Sequence, residues 1–265
     1  WRSRFHGRTL AHYNGPMEQA WVGYQQASRR NKPHIAKIVQ QPKTSWMGAW
    51  IPDDQIYDRT RDYIENSQAG DPRKVVTIAS FRMQPWYHAA RRGKPTRAQT
   101  RSYRRWISEQ VRAIGSTPTI VIVQPDMPFL MTARHKRSFA RLIKWGAKQY
   151  ATNRNTKVYL EAGAYDWPAP GQGGAQAAVR FLKTVGIEYA HGIALNSTHY
   201  SDPNLEILRS KEIIDLLRKQ GVRRPLRSVI NTATSGNPWD FGTFQFKGPA
   251  DEAPACTSLK QFGRV

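Results

Sequence analysis

Residues 119–124 are apolar and β-branched until the last position, and they lead directly into Pro125-Asp126. A stiff proline after a buried run holds the Asp126 carboxyl in one place and half out of water. Desolvation favours the neutral carboxylic acid and so raises the pKa, which suits a group that must donate a proton. The competing role for Asp126 is as cap of the helix that starts nearby. Other apolar runs end in a similar set: Trp50, Arg82, Glu161, Asp166, Trp167, Asn196 and Asn231. Tryptophan faces stack on the C–H faces of sugar rings, while Asn, Asp and Arg hydrogen-bond hydroxyls. Hydrolysis of a glycosidic bond adds two needs, an acid for the leaving oxygen and a base for water.

The elements that must carry these residues are legible from periodicity. Short runs rich in Val, Ile, Thr and aromatics occur at 45–50, 75–80, 119–124, 157–162, 192–196 and 228–231, as buried strands do. Between them lie helix candidates at 54–66, 97–114, 133–150, 174–184 and 203–220, and one more at 17–30 precedes the first strand. In 97–114, Tyr103, Trp106, Ile107, Val111 and Ile114 recur at three- and four-residue spacing and form one apolar stripe. Asn31-Lys32-Pro33 is expected to stop the first helix. Strict alternation predicts right-handed crossovers and a parallel sheet, with chemistry on the loops after strand C-termini. The expected architecture is a closed or nearly closed α/β barrel, with residues 1–44 as a helical lead-in and 45–265 as the barrel. The stretch 235–265 breaks the rhythm: either it is irregular, or the chain stops before the fold is complete.

Composition narrows the classes. The 265 residues carry 41 Lys and Arg against 19 Asp and Glu, a net charge of +22. With 39% hydrophobic and 11% aromatic residues, the chain has too much apolar material for a disordered basic tail. Mean hydropathy is −0.66, and no run reaches the roughly 20 apolar residues that span a bilayer. The single Cys256 excludes an internal disulfide framework. His135, His191 and His199 lack metal-ligand spacing, and Ser80 and Ser197 lack a nearby His–Asp pattern, so no metal, no cofactor and no acyl transfer are expected. The charge predicts affinity for polyanions, an acidic cell-wall polymer among them, but no zinc-finger, RNP or zipper pattern marks a nucleic-acid reader. The chain opens at Trp1 without a Met, and the expectation is a trimmed or processed form.

Several motifs carry a resemblance. Ile122-Val123-Gln124-Pro125-Asp126 resembles the V-I-E-P-D of glycoside hydrolase family 6, the cellobiohydrolases and endoglucanases. Residues 41–48, with Trp46 and Gly48, are similar to its Q-P-x-A-x-W-x-G strand. Tyr159-Leu160-Glu161-Ala162-Gly163 and Trp167 resemble Y-L-D-A-G-H-x-x-W. Gly192-Ile193-Ala194-Leu195-Asn196 and Tyr200 resemble G-F-x-L-N-V-S-N-Y, and Val229-Ile230-Asn231-Thr232 and Gly236 resemble V-I-D-T-x-x-x-G. The resemblance implies a distorted seven-stranded parallel barrel, TIM-like; the protein is expected to be secreted, extracellular or cell-wall associated, and monomeric. It also implies inverting hydrolysis of β-1,4-linked glucan with Asp126 as acid. Trp46, Trp50, Trp167 and Trp239 would be sugar platforms, and Arg82, Glu161, Asn196 and Asn231 polar substrate contacts. Trp46 lies within a strand, where core packing competes with that role. The tunnel-forming loops of the cellobiohydrolases have no counterpart, which implies an open cleft and endo action.

The departures define a second reading. The family aspartate after the arginine is Met83, which holds no proton, and the next cysteine is Gln84. Gln124 replaces a glutamate, and Ala164 replaces a histidine. Fewer neighbouring carboxylates imply a lower pKa for the acid. Laid on the late K-P-x-G-E-x-D-G loop, the chain offers Asp251 as base; a second alignment puts Cys256 on an earlier W-C-N motif and the base beyond Val265. The alternative is a non-catalytic glycan-binding protein on the same barrel.

Overall fold

The computed structural model describes residues 5, 7–83, 93–131 and 133–233. Trp239, Asp251, Gln84 and Cys256 lie outside these residues. Two helices, α1 (Gln19–Gln26) and α2 (Lys32–Val39), precede the sheet. The expected single helix over 17–30 is therefore shorter, and a second one follows it. Pro33 sits in the first turn of α2. A first-turn residue needs no N–H and tolerates the proline φ, so the proline starts a helix here as well as ending the stretch before it.

Six strands follow in the expected order: β1 (Ser45–Gly48), β2 (Val76–Phe81), β3 (Thr119–Val123), β4 (Thr156–Glu161), β5 (Gly192–Leu195) and β6 (Arg227–Ile230). They pair in parallel in sequence order. The crossovers are α3 (Ile56–Gln68), α4 (Arg97–Ile114), a short α5 (Pro128–Met131) with α6 (Lys136–Tyr150), α7 (Gly174–Thr184) and α8 (Pro203–Lys219). Inner strand β2 is buried throughout, whereas β1 and β6, the outer strands of the described sheet, are only partly covered. A seventh strand and a closed barrel are not among the described residues. None of the described helices is long and apolar enough to cross a membrane.

The larger core lies between sheet and helices. It takes Val76 and Ile78 from β2, Val121 and Val123 from β3, and Tyr103, Trp106, Ile107 and Ile114 from the α4 stripe. Val111, the fifth residue of the expected stripe, is only partly buried against it. The other face of the sheet is thin, with Ala79, Ile122, Tyr159 and Ala194 beneath Trp46, Ile120 and Val229. Helix starts are set locally. Thr96 accepts from the Gln99 N–H at 3.1 Å while the Gln99 side chain accepts from the Thr96 N–H at 2.9 Å, a reciprocal cap for α4. Asp202 caps α8 through the Asn204 N–H at 2.7 Å.

Candidate active site

The C-terminal ends of β3, β4 and β5 are level, because Val123 registers with Leu160 and Glu161 with Ala194. The loop after β5 crosses those ends, and three consecutive residues each meet one carboxyl. The Ser197 hydroxyl is hydrogen-bonded to Glu161 Oε2, Thr198 Oγ1 donates to Asp126 Oδ1 at 2.6 Å, and His199 Nδ1 lies 2.8 Å from Asp166 Oδ1. The Asp126 side chain thus turns to Thr198 across 72 residues of sequence, and only its backbone carbonyl serves the turn at Phe129. Gln124, Asp126 and Asn196 all hold positive φ, at 62°, 59° and 64°. Left-handed backbone at three non-glycine residues costs energy and recurs where a site dictates side-chain direction.

Burial shifts the carboxyl pKa values. Asp126 is half-buried, and desolvation raises its pKa; the Thr198 hydrogen bond and the nearby His199 pull the other way. Glu161 is 2% exposed. Desolvation pushes its pKa well above the ordinary value, against hydrogen bonds from Ser197 and from the Gly163 N–H, and the negative charge of Asp126 adds to the rise. Glu206, at the start of α8, is likewise raised by burial. The expectation that lost carboxylates lower the pKa of Asp126 is therefore offset here by desolvation.

A raised folded-state pKa makes ionisation of Glu161 unfavourable to folding. The stability is fully present below the unfolded glutamate pKa of about 4.3 and is lost as pH rises through the raised folded value. Glu161→Gln keeps an oxygen acceptor for the Gly163 N–H and cannot ionise. Its Tm is expected to stay near the parent's at about pH 4 and to exceed it at about pH 9, measured by thermal unfolding across that range. A constant offset between the two proteins at every pH would remove the assignment.

At the end of β2, Arg82 Nη2 donates to Asp53 Oδ1 at 2.8 Å and to Ser102 Oγ at 2.7 Å, with the guanidinium 5.9 Å from the Trp106 ring. Loop, strand and helix together orient the arginine. Met83 is fully buried in the core, and its N–H donates to Gln124 Oε1 at 3.3 Å. The two positions that differ from the family carboxylates therefore tie β2 to β3. On β1, Trp46 packs edge-on to Phe81 at 5.2 Å, while Trp50 is 57% exposed beside the same ring. Trp167 stacks on His199 at 4.9 Å and 8°, with Phe129 edge-on at 4.7 Å. Asn196 and Asn231 clasp one another: each amide donates to the other's backbone carbonyl, at 2.9 and 3.0 Å. Asn196 is fully buried. Gly163 takes φ 100°, and a Cβ there would lie 2.1 Å from the Trp167 carbonyl oxygen.

Sequence reasoning assigned no role to Ser197, Thr198, His199 or Asp53. The flanking Asn196 and Tyr200 were the available signal for the first three. The direction of each side chain depends on a loop crossing two strand ends, which spacing does not encode.

The family model described as "Glycosyl hydrolases family 6" matches residues 7–215. Endoglucanase A of Cellulomonas fimi is 26% identical over 230 residues, covering 86% of this chain and 47% of that protein. Endoglucanase A of Thermobispora bispora is 24% identical over 233 residues, covering 85% of this chain and 48% of that protein. The chain thus spans about half the length of these curated relatives. Among solved structures, the endoglucanase Cel6 from Mycobacterium tuberculosis superposes with a TM-score of 0.70 at 21% identity, over 87% of this chain and 74% of that one. The GH6 enzyme of Orpinomyces sp. Y102 gives 0.68 at 17% identity, over 88% of this chain and 73% of that one. These likenesses concern the fold.

Proposed function

The chain belongs to glycosyl hydrolase family 6, and from that premise we propose that it hydrolyses a β-1,4-linked glucan with inversion, Asp126 serving as general acid and water as nucleophile. The observation that carries this reading is the Asp126 carboxyl at the end of β3, half-buried, raised in pKa and held by Thr198. Burial favours the protonated form of this carboxyl, and leaving-group protonation requires a positioned acid. The endoglucanase relatives support a glucan substrate. Trp50, Trp46 and Trp167 provide sugar platforms, Arg82 and Glu161 shape the cleft floor, and Asp251 is the candidate base. Asn196 and Asn231 act chiefly by holding the loop that carries Thr198. A seven-stranded closure, the division into a lead-in (1–44) and catalytic barrel (45–265), an open cleft with endo action, and an extracellular place of work belong to the same proposal.

The test is incubation of the full chain with a soluble β-glucan. New reducing ends that first appear as the α-anomer by NMR support it. Tight oligosaccharide binding with no turnover would favour the second reading, a non-catalytic glycan-binding barrel, for which buried Met83 is the specific observation.

A pH effect follows from Thr198. The acid must be protonated, so activity falls as pH rises through the Asp126 pKa. The Thr198 hydrogen bond lowers that pKa. Thr198→Val is therefore expected to move the alkaline limb of the kcat/KM profile to higher pH. A limb that stays put or moves down would contradict the coupling.

A further inference from the structure

The +22 charge is not spread evenly. Helix α4 carries five arginines and one glutamate, and α6 carries two arginines, three lysines and no carboxylate. These helices are neighbours. A Cβ on Gly146 of α6 would lie 2.7 Å from the Tyr103 hydroxyl of α4, so glycine permits the close approach. Tyr103 meets Trp145 edge-on at 6.5 Å, and the Arg104 guanidinium lies over Trp145 at 5.5 Å, bridging the seam. Two cationic ridges thereby become one face.

Among the described residues, little neutralises it. Arg112 pairs with Glu109, and Lys144 with Glu188. Arg101, Arg105, Arg137, Arg141 and Lys148 are exposed, and none makes an ion pair among the described residues. Like charges side by side on a helix surface cost stability, and a single-sign field of this kind draws polyanions. At the foot of the face, the loops that end α4 and precede β4 border an open groove of about 450 Å³, lined by Gly115, Ser116, Thr152, Asn153, Arg154 and Asn155. These loops lead into β3 and β4 from their N-terminal ends, the opposite end of the sheet from Asp126.

We propose that the α4–α6 face and the groove at its foot form a docking surface for an acidic polysaccharide, a glycan chain bearing carboxylates, outside the catalytic cleft. Cations on the helix faces meet the carboxylates, and the hydroxyl- and amide-lined groove meets the sugar hydroxyls. Single-stranded nucleic acid would call for exposed aromatic platforms, and a lipid surface for protruding apolar side chains. The large exposed hydrophobics of the described residues lie elsewhere, none of them on α4 or α6.

The test uses the full chain and polygalacturonate, with binding followed against salt concentration. Arg101→Glu, Arg105→Glu, Arg137→Glu and Arg141→Glu are combined in one variant. The control combines Arg29→Glu, Arg30→Glu, Lys37→Glu and Lys219→Glu, exposed cations of other faces that change net charge equally. The face variant should lose at least about tenfold in affinity and the control far less, with binding weakening steeply as salt rises. Unfolding curves check both folds, and a milder Arg→Gln set replaces any variant that fails to fold. Equal losses in the two variants, no binding at low salt, or tighter binding to duplex DNA or to phosphatidylglycerol vesicles would each overturn the proposal. Asp126→Asn should bind polygalacturonate as the parent does, so failure of the hydrolase reading leaves this one standing.

Discussion

Asp126→Asn is expected to reduce kcat on a soluble β-glucan by about 10²–10⁴-fold, the usual contribution of a positioned general acid. The amide occupies the same volume and still accepts a hydrogen bond from Thr198, which reaches Oδ1 at 2.6 Å in the parent. The loop after β5 should therefore stay where it is, and oligosaccharide affinity should change little. Asparagine has no proton to give the departing oxygen, so the loss falls on the chemical step. A further check is the leaving group: an aryl glycoside with a good leaving group needs less protonation, and the variant should recover much of its rate on it. Full activity on the polymer would remove Asp126 from the mechanism, and equal losses on both substrates would point to a positioning role.

Gly163→Ala carries a large expected cost to stability. The residue holds φ 100°, and its Cβ would stand 2.1 Å from the Trp167 carbonyl oxygen. Strained backbone costs about 1–3 kcal/mol, and forced overpacking adds about 1–3 kcal/mol. A flexible side chain could swing aside, but a carbonyl cannot: Trp167 O also accepts from the Ala164 N–H at 2.7 Å. The expected result is a loss of about 2–6 kcal/mol in unfolding free energy, read as a fall in denaturant midpoint with unchanged m. Because the Gly163 N–H serves Glu161 and the turn carries Trp167, substrate affinity should fall as well. A midpoint within error of the parent's would mean that the turn has room the geometry denies it.

Both predictions concern strand ends, and strand ends were the part of the site that could be read in advance. The apolar runs located the six strands to within about two residues at each end, because burial on both faces demands unbroken hydrophobic character. Asp126, Arg82 and Glu161 followed from them, since a residue just beyond a parallel strand faces the loop side. Helix α2 did not follow. Pro33 breaks one helix and begins another with equal propriety, and local rules alone did not choose between the two. The partners of the carboxyls were out of reach for a different reason. Ser197, Thr198 and His199 stand 36, 72 and 33 residues from Glu161, Asp126 and Asp166, and no periodicity links them.

The amino-acid order by itself determined the parallel α/β class, the position of the candidate acid and the fact that Met83 holds no proton. Each of these depends on local character, on one residue's chemistry or on the period of a hydrophobic pattern. Tertiary structure decided how buried Asp126 and Glu161 are, and hence the direction in which their pKa values move, because desolvation is a property of the packed surroundings. It also decided that Asn196 and Asn231 hold one another. The net charge of +22 is a sum over the sequence. Its concentration on α4 and α6 arises because a glycine at 146 lets two cationic helices pack side by side.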